Sequence, residues 1–199
     1  MDETKGNRLT DQLLVARVLG GDTGAFRYII EDTEGIVAQI IFKMIPNLED
    51  RKDIAQDVYL KVFHNLSRFK FQSKLSTWIW QITYNTCLNY LEKKKLFLFD
   101  NLINASAVEE ESDGLPELFE NLVEKKIMND ELSRILSKEI DKLSPVYKTL
   151  ITLYHHEDLS YAEIATIVQL PEGTVKSYLF RARKTLRDQL ILVYKKDAL

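Results

Sequence analysis

Cysteine is nearly absent: Cys87 stands alone among 199 residues. An internal disulfide is therefore impossible, no cysteine cluster exists to hold zinc, and the usage fits a reducing cytoplasm. Histidine is scarce too, at three. Glycine and proline number only 7 and 4, and apolar residues recur at helical rather than alternating spacing, so an all-α protein is expected. No apolar run approaches the roughly 20 residues that span a bilayer, which argues against direct membrane insertion. The opening stretch, MDETKGNRLTD, lacks the apolar core of a signal peptide. What the chain does have is apolar material for real cores, at 45% of residues, and 29% charge.

The net charge of −3 is misleading as an average, because the charges are segregated. Acids gather in the middle, at Asp100, Glu109, Glu110, Glu111, Asp113, Glu117, Glu120 and Glu124. Cations gather near residues 61–74, 93–95 and 176–196. Local field governs contact with phosphate, so a nucleic-acid surface is compatible with an acidic whole.

Punctuation divides the chain into two small helical domains. In residues 1–95, a first helix is expected from Thr10 to Val18, ended by Gly20-Gly21. Asp22 can cap a second, with Phe26, Ile29, Ile30, Ile36, Val37, Ile40 and Ile41 mostly inward. Pro46-Asn47 turns the chain into a third helix through Ile54, Val58, Val62 and Leu66. A polar loop, SRFKFQSKLS, leads to a fourth helix for which Ser76 is the expected cap. Residues 96–126 lose periodicity, turn acidic and contain Gly114 and Pro116, and read as a linker that avoids DNA. Residues 127–199 form the second domain. Its first helix is expected to bury Leu132, Ile135, Leu136 and Leu143, and Ser144-Pro145 starts the next.

The end of this domain, DLSYAEIATIVQLPEGTVKSYLFRARKTLR, carries the densest pattern. Ser160 and Glu163 match a capping box. Leu170-Pro171-Glu172-Gly173 interrupts the helix, and Thr174 can cap the next one, completing a four-helix, wingless helix-turn-helix domain. Val175, Leu179, Ala182 and Leu186 form a buried stripe, while Lys176, Ser177, Arg181, Lys184 and Arg187 lie opposite. An apolar back and a cationic, hydroxyl-bearing front suit the DNA major groove.

The loop and fourth helix carry a second pattern. Lys70, Gln72, Ser73 and Lys74 are flanked by Phe69 and Phe71, and the helix adds Trp78, Trp80, Tyr84, Asn85 and Asn89. Aromatics stack on unpaired bases, cations follow the backbone, and amides read base edges. Core packing is the competing role for the aromatics. On the third helix, Asp53, Gln56, Asp57 and Lys61 share a polar surface. A catalytic or metal site is disfavoured. His155 and His156 are neighbours about 100° apart on a helix, so they do not converge as ligands. A plain repressor would share the helix-turn-helix but not the tryptophan-rich helix after a basic loop.

Taken in order, RKDIAQDVYLKVF, STWIWQITYNTCLNYL, an acidic linker and LSYAEIATIVQLPEGTVKSYLFRAR resemble the extracytoplasmic-function sigma factors of bacteria over about residues 10–190. The resemblance implies a non-enzymatic, cofactor-free cytoplasmic factor that binds core RNA polymerase and directs promoter-specific initiation. Asp53, Gln56, Asp57 and Lys61 would dock on the polymerase clamp. Lys70, Gln72, Ser73, Lys74, Trp78, Trp80 and Asn85 would melt the −10 element and read its non-template single strand. Thr174, Lys176, Ser177, Tyr178, Phe180, Arg181 and Lys184 would read the −35 duplex. It also implies an anti-sigma factor as inhibitory partner, often a membrane-bound one. Three departures stand out: Gln169 in a turn where glycine is common, Tyr178 for a common arginine, and Phe71-Gln72 where Gly-Asp is frequent.

Overall fold

A computed structural model describes residues 3–99 and 130–197, with side chains for 10–94 and 134–193. Its described residues form eight α-helices and one 3₁₀ turn. In chain order these are α1 (Glu3–Leu19), α2 (Thr23–Met44), α3 (Leu48–Asn65), the 3₁₀ turn (Leu66–Arg68) and α4 (Leu75–Phe99). Then come α5 (Asp130–Asp141), α6 (Pro145–His155), α7 (Tyr161–Val168) and α8 (Glu172–Asp197). The all-α expectation holds.

In the first group, α1, α3 and α4 all pack around α2 or one another. Ile29, Ile40 and Met44 of α2 meet Val58 and Val62 of α3 and Ile79 and Cys87 of α4, all fully or almost fully buried. Each fully buried Ile or Val contributes about 1.5–3 kcal/mol. Asp22 caps α2 by accepting from the Ala25 amide at 3.2 Å, and Asn47 caps α3 through the Glu49 amide at 2.9 Å.

The start of α4 differs from expectation. Ser76 lies inside the first turn rather than at the cap. The Leu75 amide instead donates to the Asp11 carboxylate of α1 at 2.8 Å. Free amides at a helix start need an acceptor, and here a residue far away in sequence supplies it. Burial raises the Asp11 pKa, against the opposing pull of the Leu75 bond. Asp11→Ala should cost about 1 kcal/mol, as loss of a cap does, seen as a lower urea midpoint at unchanged slope.

In the second group, α5, α6 and α7 all pack on α8. The expected stripe of Val175, Leu179, Ala182 and Leu186 is buried in full, against Leu150, Leu153, Ile164 and Ile167. Ser144 caps α6, with Pro145 at its first position. Ser160 and Glu163 form the capping box of α7: the Glu163 amide donates to Ser160 Oγ, and the Ser160 amide donates to Glu163 Oε2. Thr174, in contrast, does not cap α8. The helix already begins at Glu172, and the Pro171 carbonyl accepts from the Thr174 and Val175 amides. Proline supplies the stop and the first acceptor together, which leaves the threonine inside the first turn.

Helix α4 continues through Phe99, past the residue-95 boundary expected for the first domain. The remainder of the expected linker, with Gly114 and Pro116, and the expected domain start at Ile127 lie outside the described residues, as does the Leu132 side chain. The two groups are in contact: α4 packs on α7, and α2 on α6.

Candidate nucleic-acid interface

On α8 the helical period sorts the proposed reading residues. Lys176, Ser177, Phe180 and Arg181 are exposed; Thr174, Tyr178 and Lys184 are half-buried. Lys176 pairs with Glu172 one turn back at 2.9 Å, and its ammonium also lies 5.3 Å from the Tyr161 ring centroid. Ser177 Oγ donates to the Gly173 carbonyl at 2.9 Å, a back-bond that fixes its rotamer. Tyr178 sits at the flank of this surface. Its ring meets Tyr147 edge-on at 6.0 Å, and it sits close enough to buried Tyr84 of α4 to add to the rise that burial causes in the Tyr84 pKa. An aromatic ring gains more from packing between two tyrosines than from water, so it turns inward.

A feature behind this helix escaped sequence reasoning. Tyr154 and Tyr161 stack at 4.8 Å, and the Arg183 guanidinium lies 4.9 Å from the Tyr154 centroid. Arg183 Nε also donates to His155 Nε2 at 3.2 Å. His156 Nδ1 turns the other way, to Glu157 at 3.0 Å, so the histidines do not converge. Burial, with the Arg183 cation beside it, pushes the His155 pKa down to about 4. An unfolded histidine titrates near 6.5, so between these values the unfolded chain binds a proton that the folded chain refuses. Stability should be complete above pH 6.5 and fall as pH drops toward 4. His155→Gln should flatten that slope, read from denaturation midpoints across the window.

The loop before α4 is built on rings. Phe69 is buried and lies 4.7 Å from Phe71 and 5.1 Å from Trp78. Phe71, where glycine was expected for the resemblance, has φ of 54°. A bulky side chain in the left-handed region costs on the order of 1–3 kcal/mol, and such strain concentrates at functional loops. Around this triad, Lys70, Gln72 and Lys74 are exposed and Ser73 is half-buried. Trp78, Trp80 and Asn85 are half-buried on α4. The buried Trp80 Nε1 has no hydrogen-bond partner, so this indole packs edge-inward more than it presents a donor to solvent. Asn85 is already engaged: its Nδ2 donates to Gln169 Oε1 of the second group at 3.2 Å.

On α3, Asp53, Gln56 and Asp57 are exposed. Lys61 is pinned, pairing with Asp57 at 2.7 Å and donating to Thr86 of α4 at 3.3 Å. At the head of the helix, Tyr90 donates a short bond to Asp50, which lowers the Asp50 pKa, and Lys94 reaches the same carboxylate at 3.3 Å. A shallow groove of about 580 Å³ lies alongside, lined by Ala38, Phe42, Leu48, Arg51 and Lys52.

The sigma-70 region 2 family matches residues 29–97, and sigma-70 region 4 matches residues 133–186. The chain is also 33% identical to the ECF RNA polymerase sigma-E factor of Haemophilus influenzae, across 92% of this chain and 96% of that one. It belongs to the extracytoplasmic-function sigma factors. The sigma-E factor of Escherichia coli K12 is 33% identical over 92% of this chain and 95% of its own, and SigW of Bacillus subtilis 31% over 88% and 94%. Among solved structures, CnrH in complex with the cytosolic domain of CnrY aligns with a TM-score of 0.61 at 20% identity, covering 92% of this chain and 97% of that one. The sigma factor RpoE of Bartonella quintana, in complex with the anti-sigma factor NepR, aligns at 0.60 and 21%, covering 83% and 96%. These two likenesses concern the fold. As a sigma factor, the protein is a non-enzymatic initiation factor that works with RNA polymerase at promoters. Among the described residues, no helix is long and apolar enough to cross a membrane.

Proposed function

We propose that this sigma factor divides its work among three surfaces. Asp53, Gln56, Asp57 and Lys61 of α3 dock on core polymerase. Lys70, Gln72, Ser73, Lys74, Trp78, Trp80 and Asn85 open and read the −10 element. Thr174, Lys176, Ser177, Tyr178, Phe180, Arg181 and Lys184 serve the −35 duplex, with Tyr178 acting from the side rather than in the groove. The observation that carries the reading is α8. Its apolar stripe is fully buried while Lys176, Ser177, Phe180 and Arg181 stand exposed on one surface, as a groove-reading helix requires.

The factor works in the bacterial cytoplasm, where core polymerase is found. Its second partner is an anti-sigma factor, as NepR is for the Bartonella protein. The cytosolic domain of CnrY on CnrH is a pattern suited to a membrane-tethered inhibitor. Run-off transcription with core polymerase, on the promoter upstream of its own gene, tests the whole reading. A specific transcript is expected, and its absence across promoters of the same genome would refute it. Asp57→Lys should weaken capture of core severalfold in a pull-down while helicity is unchanged. Undiminished capture would remove α3 from the polymerase interface.

A further inference from the structure

Arg183 has no part in the three surfaces above. It follows Lys176 by seven residues, close to two helical turns, so the two share one side of α8. A ladder of rings joins them. The Arg183 guanidinium lies 4.9 Å from the Tyr154 centroid, Tyr154 stacks on Tyr161 at 4.8 Å and 24°, and the Lys176 ammonium lies 5.3 Å from the Tyr161 centroid. Its members come from three helices: Tyr154 from α6, Tyr161 from α7 and both cations from α8.

Hydrogen bonds lock the inner end. Arg183 Nε donates to His155 Nε2 at 3.2 Å. The two tyrosine hydroxyls bond to each other, and the guanidinium lies within hydrogen-bonding reach of both. The bond between them raises the Tyr154 pKa and lowers that of Tyr161, which makes Tyr154 the donor. A guanidinium presents its donors in a rigid planar fork, so it sets both rings at once. Arg183, Tyr154 and Tyr161 are half-buried, while Lys176 at the outer end is exposed.

Lys176 is thereby held from two directions. Glu172 draws its ammonium back along α8 at 2.9 Å, and the Tyr161 ring holds it from the side. An exposed ion pair alone is too weak to fix a lysine, whereas the face of a fixed ring adds an attraction of its own. Ordering a long side chain on binding lowers affinity, and a side chain ordered beforehand avoids most of that loss.

We propose that Arg183 is a positioning residue for the −35 duplex: it fixes the Tyr154–Tyr161 stack, and Tyr161 seats Lys176 for the groove. Arg183 itself stays off the DNA. The inference rests on the reading of α8 given above.

The test is a double-mutant cycle on holoenzyme binding to one duplex, the −35 sequence that wild-type holoenzyme selects most strongly from a randomised library. Arg183→Met should weaken binding about three- to tenfold, the range for ordering one long side chain. Lys176→Met should weaken it at least as much. In the Lys176→Met background, Arg183→Met should change affinity by no more than about twofold, the scatter of independent changes, because the seat has nothing left to hold. A purely structural role would carry its loss into both backgrounds, and so would a phosphate contact by Arg183. An equal loss in both therefore overturns the proposal.

Tyr161→Leu runs through the same cycle. It removes the seat and leaves the contact between Arg183 and Tyr154, so it serves even if Arg183→Met lowers the urea midpoint. It should reproduce the pattern, and a loss that persists without Lys176 counts against the proposal in the same way. Persistent losses with Lys176 still required would overturn the positioning role and leave the reading of α8 intact. Lys176→Met without effect would overturn both.

Discussion

Replacing Arg181 with alanine is expected to relax one position of the −35 preference at a cost of about 1–3 kcal/mol, the value of a base-reading arginine. Arg181 lies on the exposed side of α8, with Phe180 beside it at 38% exposure and Lys176 five residues before it. Fold stability should change little, because the opposite side of the helix carries the core. Selection from a randomised −35 library with wild type and variant measures the effect. Equal stringency from both would mean that Arg181 contacts only phosphate. Arg187 provides the contrast. It lies further along α8, half-buried and paired with Asp188 at 3.2 Å; acting on phosphate, it should on removal weaken all sequences alike.

Asn85→Ala should reduce open complex by about 5- to 150-fold, the equivalent of a lost base-edge contact of about 1–3 kcal/mol, while leaving affinity for duplex −35 DNA in place. Permanganate reactivity of unpaired thymines reports the first quantity and a gel shift the second. The bond to Gln169 sharpens this experiment. Without Asn85 the free chain loses a tie between its two halves, so it should open more readily and yet initiate less well. A purely structural role would weaken both DNA steps together.

The elements that local chemistry controls were legible in the sequence. The stripe Val175, Leu179, Ala182 and Leu186 is buried as its spacing requires, and the Ser160–Glu163 box closes as its residues suggest. Gln169 takes the left-handed conformation in the turn where the resemblance has glycine as common. The failures share a cause. Ser76 was the nearest hydroxyl to the start of α4, but the acceptor came from Asp11, on a helix packed alongside. Thr174 lost its cap to a proline carbonyl three residues earlier. The resemblance carries Tyr178, and with the α4 pattern Asn85, to DNA-reading surfaces, and says nothing of the Tyr147 ring against Tyr178 or of the bond from Asn85 to Gln169 of the second group. Periodicity says which side of a helix is polar and nothing about what a second body presses against it.

Cys87 sets a limit on what the factor can sense. Its thiol is fully buried in α4, and burial pushes its pKa up to about 12. Oxidants attack thiolates that they can reach, and here there is neither thiolate nor access. As the sole cysteine in the chain, it leaves no second thiol to form a regulatory bridge. Peroxide or disulfide stress therefore has no thiol switch to act on within this factor. If transcription from its promoters responds to such a signal through a thiol, that thiol belongs to another molecule, and this chain receives the message as a change in who holds it.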